Sequence, residues 1–321
     1  MTYYVSNSKV NDWRTCHKKF EFKHEEKIQR KKRSRPLKFG GIVHKMHEAD
    51  AAGQDPFDKL AEINLKEYDL FESEREEYGN IVDDIRYIMR GYYAYYEDEP
   101  LILVPYKKRR AEHPFEVDIA KGITCKGTID AVSRMKKKLW LTEHKNHKSF
   151  PSAEHRWRNL QTVVYFKINE LTRMFEPFEG TLWDFVRTKV PTRPQLLKSG
   201  KMSERELDTL PEVIVDTIKG HGLDPRAYKS LVDTATANMA NWYERVYTPV
   251  KPFVVKRVWE DFVTTAKEMA TSKDRTRNIG RHCDWCEFEP LCRAFWTGGD
   301  FEFLMKYEYE PAEYDLDADN R

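Results

Sequence analysis

Long apolar runs are missing from this sequence. No stretch approaches the roughly 18 residues that a membrane span requires, which excludes a chain built around spanning helices. The opening segment MTYYVSNSKVNDW has no basic region followed by an apolar one, so it is not a secretory signal. A cytoplasmic location without membrane contact is the expectation. There is no G-x-x-x-x-G-K-[ST] pattern, so phosphate-driven unwinding within the chain is not expected. Internal repeats and low-complexity tracts are missing too. Cysteines are few, five in 321 residues, and in a reducing compartment they are not expected to form disulfides.

A net charge of one sign is also lacking, since 55 Lys and Arg face 53 Asp and Glu. The balance hides an asymmetry: residues 1–50 carry 13 basic against 6 acidic side chains, and residues 300–321 carry 2 against 8. A basic N-terminal region suits an anionic partner, although a solvated charged face has the same composition.

What remains is ample: 40% hydrophobic residues with a mean hydropathy of −0.77 predict a sizeable core under a well-solvated surface. The pattern predicts an N-terminal helical region over 1–100. Within it, helices are expected at 3–27, 42–52 and 56–98, with a basic loop KIQRKKRSRPLKFGG before His44. Short β-branched runs predict strands in LILVPYKKRR, FEVDI, ITCKGTIDAVSR, KLWLTEHK and GTLWDFVRTKV, interrupted by a helix at about 153–175. These place a core at 101–190. A helical extension follows at 191–275, with helices over 203–248 and 256–272, then a cysteine segment at 276–299 and a mobile acidic tail at 300–321. The fold class is a mixed α/β core, a small central sheet flanked by helices.

Asp130 sits in GTIDAV, and Glu143 and Lys145 lie two residues apart in LTEHK. On a strand, residues i and i+2 share a face. A hairpin through Met135–Lys138 then brings Asp130 beside Glu143. Two carboxylates on neighbouring strands can hold a hard cation such as Mg²⁺ or Mn²⁺. Such a cation lowers the pKa of bound water, and an adjacent lysine stabilises charge on a phosphorane. Gln161 and Tyr165 follow in QTVVY, four apart on one helix face. Taken singly, each pattern also describes an ordinary solvated surface.

Jointly, GTIDAV, LTEHK and QTVVY resemble the PD-(D/E)xK nuclease superfamily, whose core is restriction-endonuclease-like, and within it the RecB-type branch. The resemblance implies that Asp130, Glu143, Lys145, Gln161 and Tyr165 form the catalytic site. It implies that His44, in GIVH, binds the metal with Asp130, Glu143 and the backbone carbonyl of His144. Gln161 and Tyr165 would contact the DNA backbone and order the site. His47 and Glu48 sit beside His44 and could stand behind the metal ligands, with surface positions the expectation.

Cys283, Cys286 and Cys292 form C-x2-C-x5-C, and Cys16 stands alone near the start. Close spacing marks metal ligands, with iron–sulfur and zinc both chemically open. Cys125 reads as a buried, inert thiol. The chain is similar to CRISPR-associated and AddB-type nuclease domains, and to stand-alone phage-type members. That similarity implies a [4Fe–4S] cluster on Cys16, Cys283, Cys286 and Cys292, joining the two ends of the fold under Trp285, Phe288, Leu291 and Phe295.

Arg30, Lys31, Lys32, Arg33 and Arg35 precede the His44 helix, and Arg156, Arg158, Arg187, Lys189, Lys198 and Lys201 flank the motif helix. Such residues bind phosphates without reading sequence. The expected activity is a metal-dependent DNA exonuclease acting on single- or double-stranded linear ends, in recombination, repair or replication, alongside a recombinase or single-strand annealing protein. The alternatives are a CRISPR-adaptation nuclease and a zinc-clasped DNA-binding module without catalysis. Oligomeric state is left open.

Overall fold

The computed structural model describes residues 2–66, 76, 78–157 and 159–312. Six strands form a mixed sheet: β1 (Tyr3–Val5), β3 (Ala111–Ala120), β4 (Ile123–Met135), β5 (Lys138–His147), β6 (Phe178–Arg187) and β7 (Tyr243–Pro249). The path runs β1-β4-β5-β6-β7, with β3 along the other edge of β4. β1 is parallel to β4 and β5 is parallel to β6, while the other pairings are antiparallel. The expected mixed core flanked by helices is therefore present.

The β4–β5 hairpin turns through Lys136 and Lys137, both left-handed at φ 47° and 67°. That is the geometry of a two-residue turn matching strand twist. One side of the sheet is covered by the helices Asn7–Thr15, Leu160–Thr172 and Pro252–Thr271, with Trp13, Tyr165, Ile168 and Phe262 in their common core. A second core joins helix Arg35–Ala51 to helix Ile81–Tyr95 through Phe39, Met46, Ile85 and Tyr92, and reaches Val186 and Tyr243 of the sheet.

Several expected elements differ. The helix over 3–27 is divided: β1 precedes it, and Cys16 is extended at φ −166° between helices Asn7–Thr15 and His17–Phe20. The basic loop is in part a strand, β2 (Ile28–Arg30), and the His44 helix begins at Arg35 and runs through Gly40 and Gly41. Packing of Phe39, Ile42 and Val43 outweighs the helix-weakening effect of two glycines. Residues 101–110 make isolated bridges, Leu103 with Ser133 and Tyr106 with Arg109, and no full strand. The helix expected at 153–175 comprises Ala153–Trp157 and Leu160–Thr172, and Arg158 lies outside the described residues. Within 203–248, Tyr243–Pro249 is a strand, because it completes the sheet edge beside β6. The described part of the acidic segment is structured: helix Phe301–Glu308 leads into β8 (Tyr309–Pro311), which pairs antiparallel with β2. Residues 313–321 of the expected mobile tail lie outside the described residues. No described helix is long and apolar enough to cross a membrane.

Candidate active site

Pairing of β4 with β5 ends at Ala131 and Thr142. Asp130 and Glu143 are the next residues along, where the two strands part. Glu143 is fully buried. Lys145 Nζ lies 2.8 Å from Glu143 Oε2, a charge contact off the angle that a hydrogen bond requires, and no donor hydrogen-bonds either Glu143 oxygen. Burial pushes the Glu143 carboxyl up to about 7, against the pull of Lys145, and Asp130 adds to the rise. Burial alone would lower the Lys145 ammonium, but Glu143 and Asp130 outweigh it and hold it charged. Lys145 Nζ also donates to Gln161 Oε1 at 3.1 Å, and Gln161 Nε2 donates to the Tyr165 hydroxyl at 3.1 Å. Tyr165 is buried in the core, with Gln161 as its hydrogen-bond partner.

His44 reaches the same region from its helix. Its Nε2 lies 3.0 Å from Glu112 Oε1, and this pairing lifts the imidazole to about 9 against burial, with help from Asp130. Glu112 was not anticipated. The register Ala111–Ala131 and His113–Ile129 sets it opposite Asp130 on β3. Its backbone is left-handed at φ 52°, unusual for a side chain of this size. Nothing local marks it in the sequence; only the strand register does. Burial raises its carboxyl, which His44 partly offsets. His44, Glu112 and Asp130 line one cavity of about 370 Å³, together with His47 and His144. His47, expected at the surface, is buried, whereas Glu48 is exposed and offers an oxygen within 4.8 Å of the His44 and Glu112 ligand atoms.

These residues fit a hard divalent cation. A buried carboxylate without hydrogen-bond donors is costly, and Glu143 has two such oxygens beside further carboxylates and an imidazole. Oxygen-rich sets of this kind suit Mg²⁺ or Mn²⁺.

Cys16, Cys283, Cys286 and Cys292 are drawn into one neighbourhood. The Asn278 amide donates to Cys16 Sγ at 3.4 Å, and the Cys283 thiol lies 3.9 Å from the Asn278 carbonyl. Burial raises the Cys292 thiol, and Cys16 and Cys283 add to the rise. Phe288 and Leu291 are buried beside Cys286 and Cys292, but Trp285 and Phe295 are 75% and 61% exposed and do not cover them. Cys125 is buried, as expected.

The basic residues divide. Arg30 pairs with Glu308 at 3.0 Å and Lys31 donates to the Lys306 carbonyl, so the acidic segment neutralises part of the basic strand. Arg33 donates to Gln29. Lys32 is partnered within the fold too. Arg35 is bound to the Tyr78 carbonyl and to Asp84 at 2.6 Å, an internal role. Arg156 donates to the Pro151 carbonyl, while Arg187 and Lys189 share Asp208. Lys198 and Lys201 are exposed.

A lysine set on a buried carboxylate where two strands part, beside further carboxylates, fits a phosphodiester hydrolase of the metal-dependent kind. The chain belongs to the PD-(D/E)XK nuclease superfamily, whose family model matches residues 4–293. Membership implies metal-dependent nuclease activity on DNA with Mg²⁺ or Mn²⁺. No curated protein matches the chain. Among solved structures, "Crystal structure of SSO0001" is similar at 12% identity with a TM-score of 0.32, covering 91% of this chain and 86% of that one.

Proposed function

We propose that this nuclease is a RecB-type DNA exonuclease that degrades linear ends to supply single strands for recombination, repair or replication. The observation that carries the reading is the chain of contacts from Lys145 through Gln161 to Tyr165, because it joins the E-x-K strand to the Q-x-x-x-Y helix. His44, Asp130, Glu143 and the His144 carbonyl would hold the metal, with Glu112 beside them. When bound, the metal supplies an acidified water and polarises the phosphoryl oxygen. Lys145 orients the attacking water and stabilises negative charge on the phosphorane. Gln161 fixes the lysine, and Tyr165 fixes Gln161. The exposed Lys198 and Lys201 suit phosphate contact better than the internally bound Arg35.

Cys16, Cys283, Cys286 and Cys292 would carry a [4Fe–4S] cluster that pins the two ends of the fold together. Thiolates suit such a cluster, and a zinc tetrahedron on the same four sulfurs is the chemical rival. Iron and sulfide analysis after anaerobic purification is expected to find both, and Cys283→Ser to lose brown colour and stability together. Zinc in a colourless wild type sinks the cluster.

The activity test uses end-labelled linear DNA, single- and double-stranded, beside a closed circle, with Mn²⁺. Lysine-dependent digestion of linear DNA alone is expected. Cutting of the circle replaces the exonuclease reading with an endonuclease.

A further inference from the structure

The side chain of His144, between Glu143 and Lys145, lies on the other face of β5. There it begins a ladder of polar groups. His144, Asp184 and Arg245 are neighbours in register across β5, β6 and β7. His144 Nδ1 lies 2.9 Å from Asp184 Oδ2, Arg245 Nε donates to Asp184 Oδ1 at 3.2 Å, and the Tyr92 hydroxyl donates to Asp184 Oδ2 at 2.5 Å. The His47 ring stacks on His144 with centroids 4.0 Å apart and planes 14° from parallel. Tyr92 meets His47 edge-on at 5.4 Å and closes the circuit. Asp184 is fully buried and His47 is 9% exposed.

Apolar packing would stabilise this interior at least as well as buried charge. What polar partners add is direction: a slip of one residue between β5 and β6 would turn each side chain to the wrong face. His47 follows His44 by three residues, so the two share a helix face. The stack therefore ties the helix that carries His44 to the strand that carries Glu143. A resident cation is the rival explanation, since His47, His144 and Asp184 offer ligand atoms within 4.8 Å of one another. Two features oppose it. The Arg245 guanidinium already sits on Asp184. Lone pairs lie in the ring planes, and planes 14° from parallel with centroids 4.0 Å apart do not bring them to one point.

The geometry points to His47 as a positioning residue: stacked on the Asp184-anchored His144, it sets the distance between His44 and Glu143 that a shared cation needs. This rests on the reading of His44, Asp130 and Glu143 as the metal holders. The test is Mn²⁺ binding to DNA-free protein by electron paramagnetic resonance, beside cleavage of linear DNA over a Mn²⁺ titration. His47→Ala is expected to weaken Mn²⁺ binding by about 10- to 100-fold, as loss of groups behind metal ligands typically does. Excess Mn²⁺ should restore most of its cleavage rate. His47→Phe, which keeps a ring on His144, should recover much of the affinity. Asp184→Asn keeps the shape of the anchor and should show the same affinity loss if His47→Ala fails to fold. Unchanged Mn²⁺ affinity in the folded variants overturns the inference. A rate loss that excess Mn²⁺ does not restore also overturns it, as does zinc retained by wild type and lost with His47. Wild type that binds no Mn²⁺ and cuts no DNA overturns the metal reading itself, whereas a wild type that does both leaves only the His47 inference at stake.

Discussion

Glu143 and Asp184 stand on adjacent strands of one sheet, and both are fully buried. Asp184 is saturated: His144, Tyr92 and Arg245 surround it, and His144, Arg245 and His47 hold its carboxyl well below the usual range despite burial. Glu143 is starved: Lys145 lies near it, no donor hydrogen-bonds it, and burial pushes it up. The desolvation cost is alike. One carboxylate is compensated by three partners inside the fold, and the other has the Lys145 ammonium alone, a partial compensation that a bound cation would complete. The first works as structure and the second as chemistry.

Exchanging charge for shape at each position should separate the two most sharply. Glu143→Gln is expected to lower cleavage of linear DNA by at least about 100-fold, the scale of losing one charge-stabilising group, with thermal stability equal to or above wild type. Asp184→Ala should destabilise by about 3–5 kcal/mol in denaturant melts, because it leaves Arg245 buried without its partner. A strongly destabilised Glu143→Gln would erase the contrast. Lys145→Ala is expected to abolish cleavage while leaving DNA affinity nearly intact, and loss of binding there would mark a structural lysine.

Metal sharpens the comparison further. Mn²⁺ at about 100 times its Kd should stabilise wild type by about 2.7 kcal/mol. The same addition should do little for Glu143→Gln, and calorimetry reads both. The smallest effect is in pH. The folded chain holds the Glu143 proton more tightly than the unfolded chain does. In metal-free protein its contribution to stability therefore falls as pH rises from about 4.5 to about 7. Asp184 has the opposite sign: its contribution is full above the ordinary carboxyl value and is lost as pH falls below it. Melts of metal-free wild type and Glu143→Gln across this range should differ in slope; parallel curves would count against the starved carboxylate.

The sequence by itself determined whatever depends on short spacing. Glu143 and Lys145 share a strand face, Gln161 and Tyr165 share a helix turn, and the hairpin between Met135 and Lys138 brings Asp130 to them. Periods of two and of 3.6 residues are written locally, so they can be read locally. Tertiary structure alone decided the rest. Glu112 enters the site through β3 register. Asp184 lies 40 residues beyond His144, and Arg245 a further 61 beyond Asp184, yet strand pairing joins all three. β2 is met by the acidic β8. Tyr243–Pro249 is a strand because an open sheet edge takes it, and the His44 helix passes through two glycines because its apolar face is buried. Such outcomes depend on which distant surfaces meet. The supply of donors then separates the two equally buried carboxylates, because donors reach Asp184 and none hydrogen-bonds Glu143.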